Sequence, residues 1–398
     1  MFDVSRFTLH ASRHMRIVID ARMMGPMNTR GIGRYVEELV RAMLVLNTQH
    51  QFVLLERHPE TSPFLNHPQV EHIKADIQWY TFREQLFMPR ILRQARADLI
   101  HVPHWNVPFF YRGSFITTIH DVLLRRQPFS AKISTRHPLY ARFKHLVYRG
   151  LLWDVVSRAK IMLLPTEFVR DEMRAFYHPV EERMVLTGEG LSDFPLADFS
   201  RVPLGQYLFY VGSAYPHKRL DLLLDAWTVI SKTHPELQLV MAGEKDLFMS
   251  RYIARVEQEK LPRVMFPGRL TDPELRAFLE RATLFVFPSS HEGFGLPPLE
   301  ALSFGCPVVS SDVPCLMEVL PKAGVFFFRD GVQDDMIRAI NEALDPASRA
   351  RERVQSVRQM VREKFSWMHV AERTIKAYDQ FFHAKNPLAT SSGQKSRS

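Results

Sequence analysis

The chain has 398 residues, more than one hydrophobic core usually serves, and at roughly 150 residues per domain this predicts two or three domains. Apolar residues at 46% and charged residues at 24% are values of a globular protein, and no run reaches the roughly 18 to 20 consecutive apolar residues of a membrane-spanning helix, so an integral protein built of such helices is excluded. The net charge of +9 points to an anionic partner; with no nucleic-acid-binding motif, aromatic-basic repeat or zinc spacing in the chain, a phosphate-bearing substrate or an anionic lipid surface is expected and nucleic acid is not.

Residues 1–14 show no periodicity and no apolar signal-peptide core, so they read as a flexible extension, with Met15 a candidate start and a cytoplasmic location expected. The two cysteines, Cys306 and Cys315, give no disulfide framework and read as structural. The first strand, R-I-V-I-D, follows Met15, and a glycine-bearing loop then leads into an amphipathic helix with Tyr35, Leu39, Met43 and Leu46 on one face. Strand, glycine loop and helix form an anion-binding arrangement, because the helix start offers free N–H groups and the positive end of a dipole. The dinucleotide pattern G-x-G-x-x-G is absent, since Val36 stands three residues after Gly33.

Short apolar strands are expected over 52–55, 99–102, 115–119 and 161–164, with helices over 82–97 and 167–177 between them. That alternation predicts a parallel α/β unit. His101, His104 and Asn106 follow one strand and His120-Asp121 another, at the carboxyl edge where such sheets bind ligands. The pair His101 and His104 lacks a third ligand, so no metal is assigned. Residues 121–160 hold nine Lys or Arg against two Asp, interleaved with Phe129, Leu139, Phe143, Leu146, Val147, Leu151 and Trp153. This basic amphipathic stretch reads either as a packed helix with a solvated face or as a dock for an anionic membrane.

From Met184 to Pro203 the chain is rich in breakers and reads as a linker. The strand Y-L-F-Y-V-G follows at Tyr207, then S-A-Y-P-H-K-R and a helix with Leu220, Leu223, Leu224, Trp227 and Ile230 on its apolar face. Lys218 and Arg219 thus stand side by side at a helix start, against the dipole, which suggests a function such as holding a diphosphate. Strands over 238–242, 264–266, 284–287 and 325–328 are expected, with a turn at Pro267-Gly268-Arg269 and helices over 333–344 and 347–364. The stretch 284–311 reads as strand, loop, helix and strand: Pro297 or Pro298 opens the helix, Gly305 closes it, Glu292 lies in the loop and Glu300 in the first helical turn. Trp367, Val370, Ile375, Tyr378 and Phe382 mark a last helix, and the polar tail from Lys385 reads as disordered.

The run E-G-F-G-L-P-P-L-E, with Glu292 and Glu300 at its ends, resembles the glutamate-x7-glutamate signature of retaining glycosyltransferases of family 4 (glycosyl transferases group 1). The resemblance covers roughly residues 15–383. It implies the α/β GT-B architecture, two Rossmann-like doubly wound parallel-sheet domains facing a deep cleft: an extension at 1–14, an acceptor-side domain at 15–200, a nucleotide-sugar domain at 201–365, a helix at 366–383 crossing back to the first, and a tail at 384–398. It also implies that Glu292 lies against the transferred sugar, that Glu300 binds the nucleotide ribose, and that backbone of Gly293, Phe294, Gly295 and Leu296 faces sugar and phosphates. Gly33 is placed across the cleft from Lys218 and Arg219 around the diphosphate, His120 beside the sugar, and His104 and Asn106 on the acceptor side. Ser213 stands where the family commonly has an arginine, and Arg219 is the nearest replacement.

The activity so implied is transfer of a hexosyl unit, with GDP-mannose the favoured donor, to a saccharide or lipid-linked acceptor in cell-envelope polysaccharide or glycolipid synthesis. A mannosyltransferase of this kind would work at the inner face of the plasma membrane. No D-x-D occurs in the chain, and the nucleotide diphosphate sugar serves as co-substrate with neither a metal nor another cofactor expected. The alternatives are a nucleotide-sugar epimerase on the same fold and a non-catalytic two-domain sugar-binding protein.

Overall fold

The computed structural model describes residues 14–25, 31–46, 49–126 and 138–385. The expected extension at 1–14 (save its last residue), the tail beyond 385 and part of the basic stretch, 127–137, lie outside them.

The first half runs β1 (Arg16–Asp20), α1 (Ile32–Val45), β2 (Gln51–Glu56), β3 (Val70–Lys74), α2 (Phe82–Gln94), β4 (Leu99–Val102), β5 (Ile116–Thr118), α3 (Leu123–Arg126), α4 (Pro138–Arg158), β6 (Ile161–Leu164), α5 (Glu167–Tyr177) and β7 (Met184–Leu186). Its strands are all parallel, in the order β3-β2-β1-β4-β5-β6-β7. Residues 184–186, expected in a linker, instead form the edge strand β7 against β6. Three residues give too short an apolar run to stand out from the breakers that follow. The edge strand β3 was also unannounced, because V-E-H-I-K is half polar and only partly buried.

The second half runs β8 (Tyr207–Val211), α6 (Leu220–Thr233), β9 (Gln238–Ala242), α7 (Leu247–Gln258), β10 (Val264–Gly268), α8 (Asp272–Arg281), β11 (Leu284–Phe287), α9 (Leu296–Ser303), β12 (Val308–Ser311), α10 (Pro314–Val319), β13 (Val325–Phe328), α11 (Gln333–Leu344), α12 (Ala350–Lys364) and α13 (Trp367–Lys385). The parallel strand order is β10-β9-β8-β11-β12-β13. Pro267 and Gly268, expected in a turn, close β10, and the helix expected over 347–364 starts only at Ala350 because Arg349 takes a left-handed conformation.

Near-continuous apolar strands such as Y-L-F-Y-V are buried along their whole length, as a parallel sheet covered on both faces requires. In each sheet the strand order reverses beside the first strand, between β1 and β4 and between β8 and β11. Crevices for ligands open outside the carboxyl ends of strands at such points. The last helix, α13, packs on α1, and Trp367, Val370, Ile375 and Tyr378 enter the same core as Ile17, Ile19 and Leu39.

Candidate active site

In the second half the loop after β8 meets the loop after β11. The Ser290 amide donates to the His217 carbonyl at 2.8 Å, and the Ser289 hydroxyl to the same oxygen at 3.3 Å, so the two loops are stitched together. On that frame the Lys218 ammonium forms an ion pair with Glu292, each side chain being about seven-eighths buried (13% and 14% exposed). Lys218 also lies 5.3 Å from the Phe287 ring centre. Burial pushes the Glu292 carboxyl up, but the charges of Lys218 and His217 outweigh it and hold the group below its ordinary range. Glu292 is therefore a carboxylate, able to accept hydrogen bonds and to oppose positive charge, and is not a proton donor.

Arg219, expected with Lys218 around the diphosphate, has a carboxylate partner of its own in the structure. It takes a left-handed conformation at φ 48°, and its guanidinium turns to Asp330 at 3.0 Å. Glu300 lies in the second turn of α9, not the first, because left-handed Gly295 caps the helix and Leu296 opens it. Backbone approach explains the glycines. A Cβ on Gly293 would come 1.9 Å from the His120 carbonyl oxygen, and one on Gly295, at φ 97°, would meet Leu316 at 2.4 Å. The Phe294 side chain between them points into the core of the second half, and Leu296 packs at its margin.

In the first half Gly31, at φ 63°, caps α1, and Gly33 is buried in its first turn. The next residue, Arg34, crosses the cleft: it pairs with Asp272 at the start of α8, stacks 5.0 Å over Phe194 and comes within 4.0 Å of Glu300. His120 follows β5. Its Nδ1 lies 2.9 Å from Glu189 and its Nε2 3.1 Å from the Pro103 carbonyl, with the Tyr35 ring edge-on at 4.6 Å. Burial alone would lower the basicity of His120, yet Glu189 overrides it and the pKa is raised. His104 goes the other way, down to about 3, through burial and the neighbouring His120. The Asn106 amide donates to both oxygens of Glu84 at 2.8 Å, and Glu84 in turn pairs with Arg22, which pairs with Asp20. Asn106 thus braces a buried network, although it and His104 line a narrow cavity with Asp20, Arg22 and Ile32.

The halves touch around these groups. Thr166 donates to the Gly293 carbonyl at 2.9 Å, and Glu318 of α10 accepts from the first free amides of α5, Glu167 and Phe168, each at 2.8 Å. His291 lies 3.5 Å from Glu172. Sequence reasoning missed Arg34, Glu189, Asp272 and Glu318. Glu189 left a signal, an acid between two glycines just past a strand end, whereas the pairings of Arg34 with Asp272 and of Glu318 with α5 join residues far apart in the chain. Among the described residues, no group of three or more His, Cys, Asp or Glu could hold a metal ion, and no helix is long and apolar enough to cross a membrane.

Two doubly wound parallel sheets that meet along the carboxyl ends of their strands make up the GT-B architecture. Residues 202–360 match the family described as Glycosyl transferases group 1, and 29–190 match Glycosyltransferase Family 4; the chain belongs to this family. It is 27% identical over 378 residues to the O-antigen chain mannosyltransferase B of Escherichia coli, covering 87% of this chain and 95% of that one. Among solved structures it resembles sucrose-phosphate synthase from Thermosynechococcus elongatus (TM-score 0.73, 21% identity, 94% and 100% of the two chains). It also resembles the Anabaena protein HepE in complex with UDP-glucose (TM-score 0.68, 15% identity, 92% and 100%).

Proposed function

We propose that the protein transfers a mannosyl unit, with retention, from GDP-mannose to a saccharide or lipid-linked acceptor of an envelope glycan. The single observation that carries this reading is the buried Lys218–Glu292 pair on the loops where the second sheet reverses its strand order. Similarity to an O-antigen mannosyltransferase supports the choice of sugar. In this reading Lys218 and the α6 start hold the diphosphate, Glu300 takes the ribose, and the backbone from Gly293 to Leu296 lines the sugar. The bond from C1 to the diphosphate oxygen breaks while the acceptor oxygen attacks C1 from the same face, and the acceptor proton passes to a diphosphate oxygen. Glu292, fixed as a carboxylate, opposes the positive charge that develops on the ring. Gly33, Arg34 and His120 close on the donor from the other half and exclude water. The acceptor enters past His104.

The test is thermal stabilisation by GDP, UDP and ADP with a chelator present. A nucleotide at 100 times its dissociation constant should add about 2.7 kcal/mol, and the shift should vanish in Glu300→Ala and Lys218→Ala. Product NMR then reads the anomeric configuration. No stabilisation by any nucleotide, or sugar conversion without an acceptor, would sink the reading.

A lipid-linked acceptor would bring the protein to the inner face of the plasma membrane. Support comes from exposed Leu146, Val147 and Trp153 on α4 and exposed Phe82, Leu86 and Phe87 on α2, with Arg83, Arg90 and Arg149 on the same two helices. Flotation with anionic but not neutral vesicles, lost in Trp153→Ser with Phe82→Ser, is the expected result.

A further inference from the structure

Of the groups at this cleft, His120 makes the contacts that its expected place beside the sugar does not explain. Nε2 faces the Pro103 carbonyl at 3.1 Å, and a carbonyl can only accept, so Nε2 carries a hydrogen. Nδ1 faces a Glu189 oxygen at 2.9 Å. A neutral imidazole has one N–H, yet here both ring nitrogens sit on acceptors, and a second proton lies between Nδ1 and the carboxylate.

We propose that Glu189 keeps His120 as an imidazolium, and that the enzyme uses this fixed positive charge, held against the Glu292 loop, and not a proton-accepting imidazole. Glu189 is then a positioning residue, acting through His120. The surroundings agree. The Tyr35 ring of α1 packs at 86° to the imidazole; Asp121, next in the chain, adds a negative charge; Cys315 of α10, in the field of Glu292, Glu318 and Glu189, has a thiol that burial keeps protonated. His101, at the end of β4, and His104, in the loop after it, are both pulled to about 3 by burial and by His120, so of these three histidines His120 carries the charge. His101 is further occupied by Tyr378 at 2.7 Å and Thr118 at 2.9 Å.

Two consequences follow for the chemistry. With both nitrogens engaged, His120 takes no proton from the acceptor and offers no ring hydrogen bond to the sugar. What it offers is charge, on a residue whose own backbone carbonyl abuts Gly293, the chain neighbour of Glu292. A leaving diphosphate gains negative charge as its bond to C1 breaks, and a preorganised cation stabilises that state. This role rests on the transferase reading; the charge state of His120 does not.

The experiment has two arms on the full chain. In the first, long-range proton–nitrogen NMR of the labelled protein near neutral pH, assigned with His120→Gln, should show both His120 nitrogens protonated, and Glu189→Gln should convert the ring to a neutral tautomer. A neutral ring in the native protein, or an imidazolium that persists in Glu189→Gln, would overturn the proposal without any assay of transfer. In the second, kcat should fall on the alkaline side as His120 loses its proton. Glu189→Gln should move that fall to lower pH by about one unit and Glu189→Asp should restore it, with the donor KM changed less than kcat. A loss of kcat in Glu189→Gln that is the same at every pH would make Glu189 merely structural. If the native protein turns over no donor while the NMR result holds, the transferase reading has failed and the charge assignment has not.

Discussion

Glu292 and Lys218 hold each other's charge out of water, which makes the pair asymmetric under mutation. Lys218→Ala strands a buried carboxylate and should cost about 3 kcal/mol, whereas Lys218→Met with Glu292→Gln should recover most of that loss in urea melts. The sign with pH follows from the depressed pKa of Glu292. Its contribution to stability is present above the ordinary carboxyl pKa and is lost as pH falls through the depressed folded value, so Lys218→Ala should flatten the acid limb of the stability curve. For His120 the direction reverses, because its pKa is raised. Its contribution is complete below the ordinary histidine value and fades as pH rises through the folded one, and Glu189→Gln should remove that alkaline dependence.

At the scale of elements, the loop from Glu292 to Gly295 is a place where backbone meets backbone. Gly293→Ala would drive a methyl group into the His120 carbonyl. GDP should still stabilise this variant, since the second half keeps its binding groups, while transfer falls by about 100-fold, as about an ångström of misplacement between reacting parts does. Glu318→Ala should lower stability by about 1 kcal/mol in thermal melts, because it removes the acceptor for the first α5 amides. What the sequence made legible at this scale was local. The β8 and β11 strands, the loop that carries Glu292 and the apolar face of α6 stood out because each is written in a short run of adjacent residues. The second-turn position of Glu300 and the turning away of Arg219 did not, because both depend on single left-handed residues, Gly295 and Arg219 itself. The commitment of Asn106 to Glu84, 22 positions earlier, was equally beyond a reading by neighbours.

For the whole molecule, Arg34 is a long-range link at the cleft, since it joins α1 to Asp272 across 238 positions of chain. In the proposed transferase reading Arg34 closes on the donor, so its pairing with Asp272 would compete with, or be exchanged for, contacts to substrate. Arg34→Ala should shift the unliganded protein toward an opened form, read as a larger radius of gyration by solution scattering, and should raise the donor KM. An unchanged radius with an unchanged KM would mean that this bridge governs neither closure nor binding.

The docking of α13 on α1 bears on how the chain is made. The face of the first sheet that α1 covers is completed by a helix about 320 residues further on. At synthesis rates of 5 to 20 residues per second, that face waits roughly 15 to 65 s on the ribosome before Trp367 and Tyr378 emerge to cover it. During that interval Tyr35, Leu39 and Met43 lack the α13 side chains that complete their core. The second half, whose core is contiguous in sequence, should therefore reach protease resistance first in a pulse-labelled translation, with the first half following once α13 has emerged.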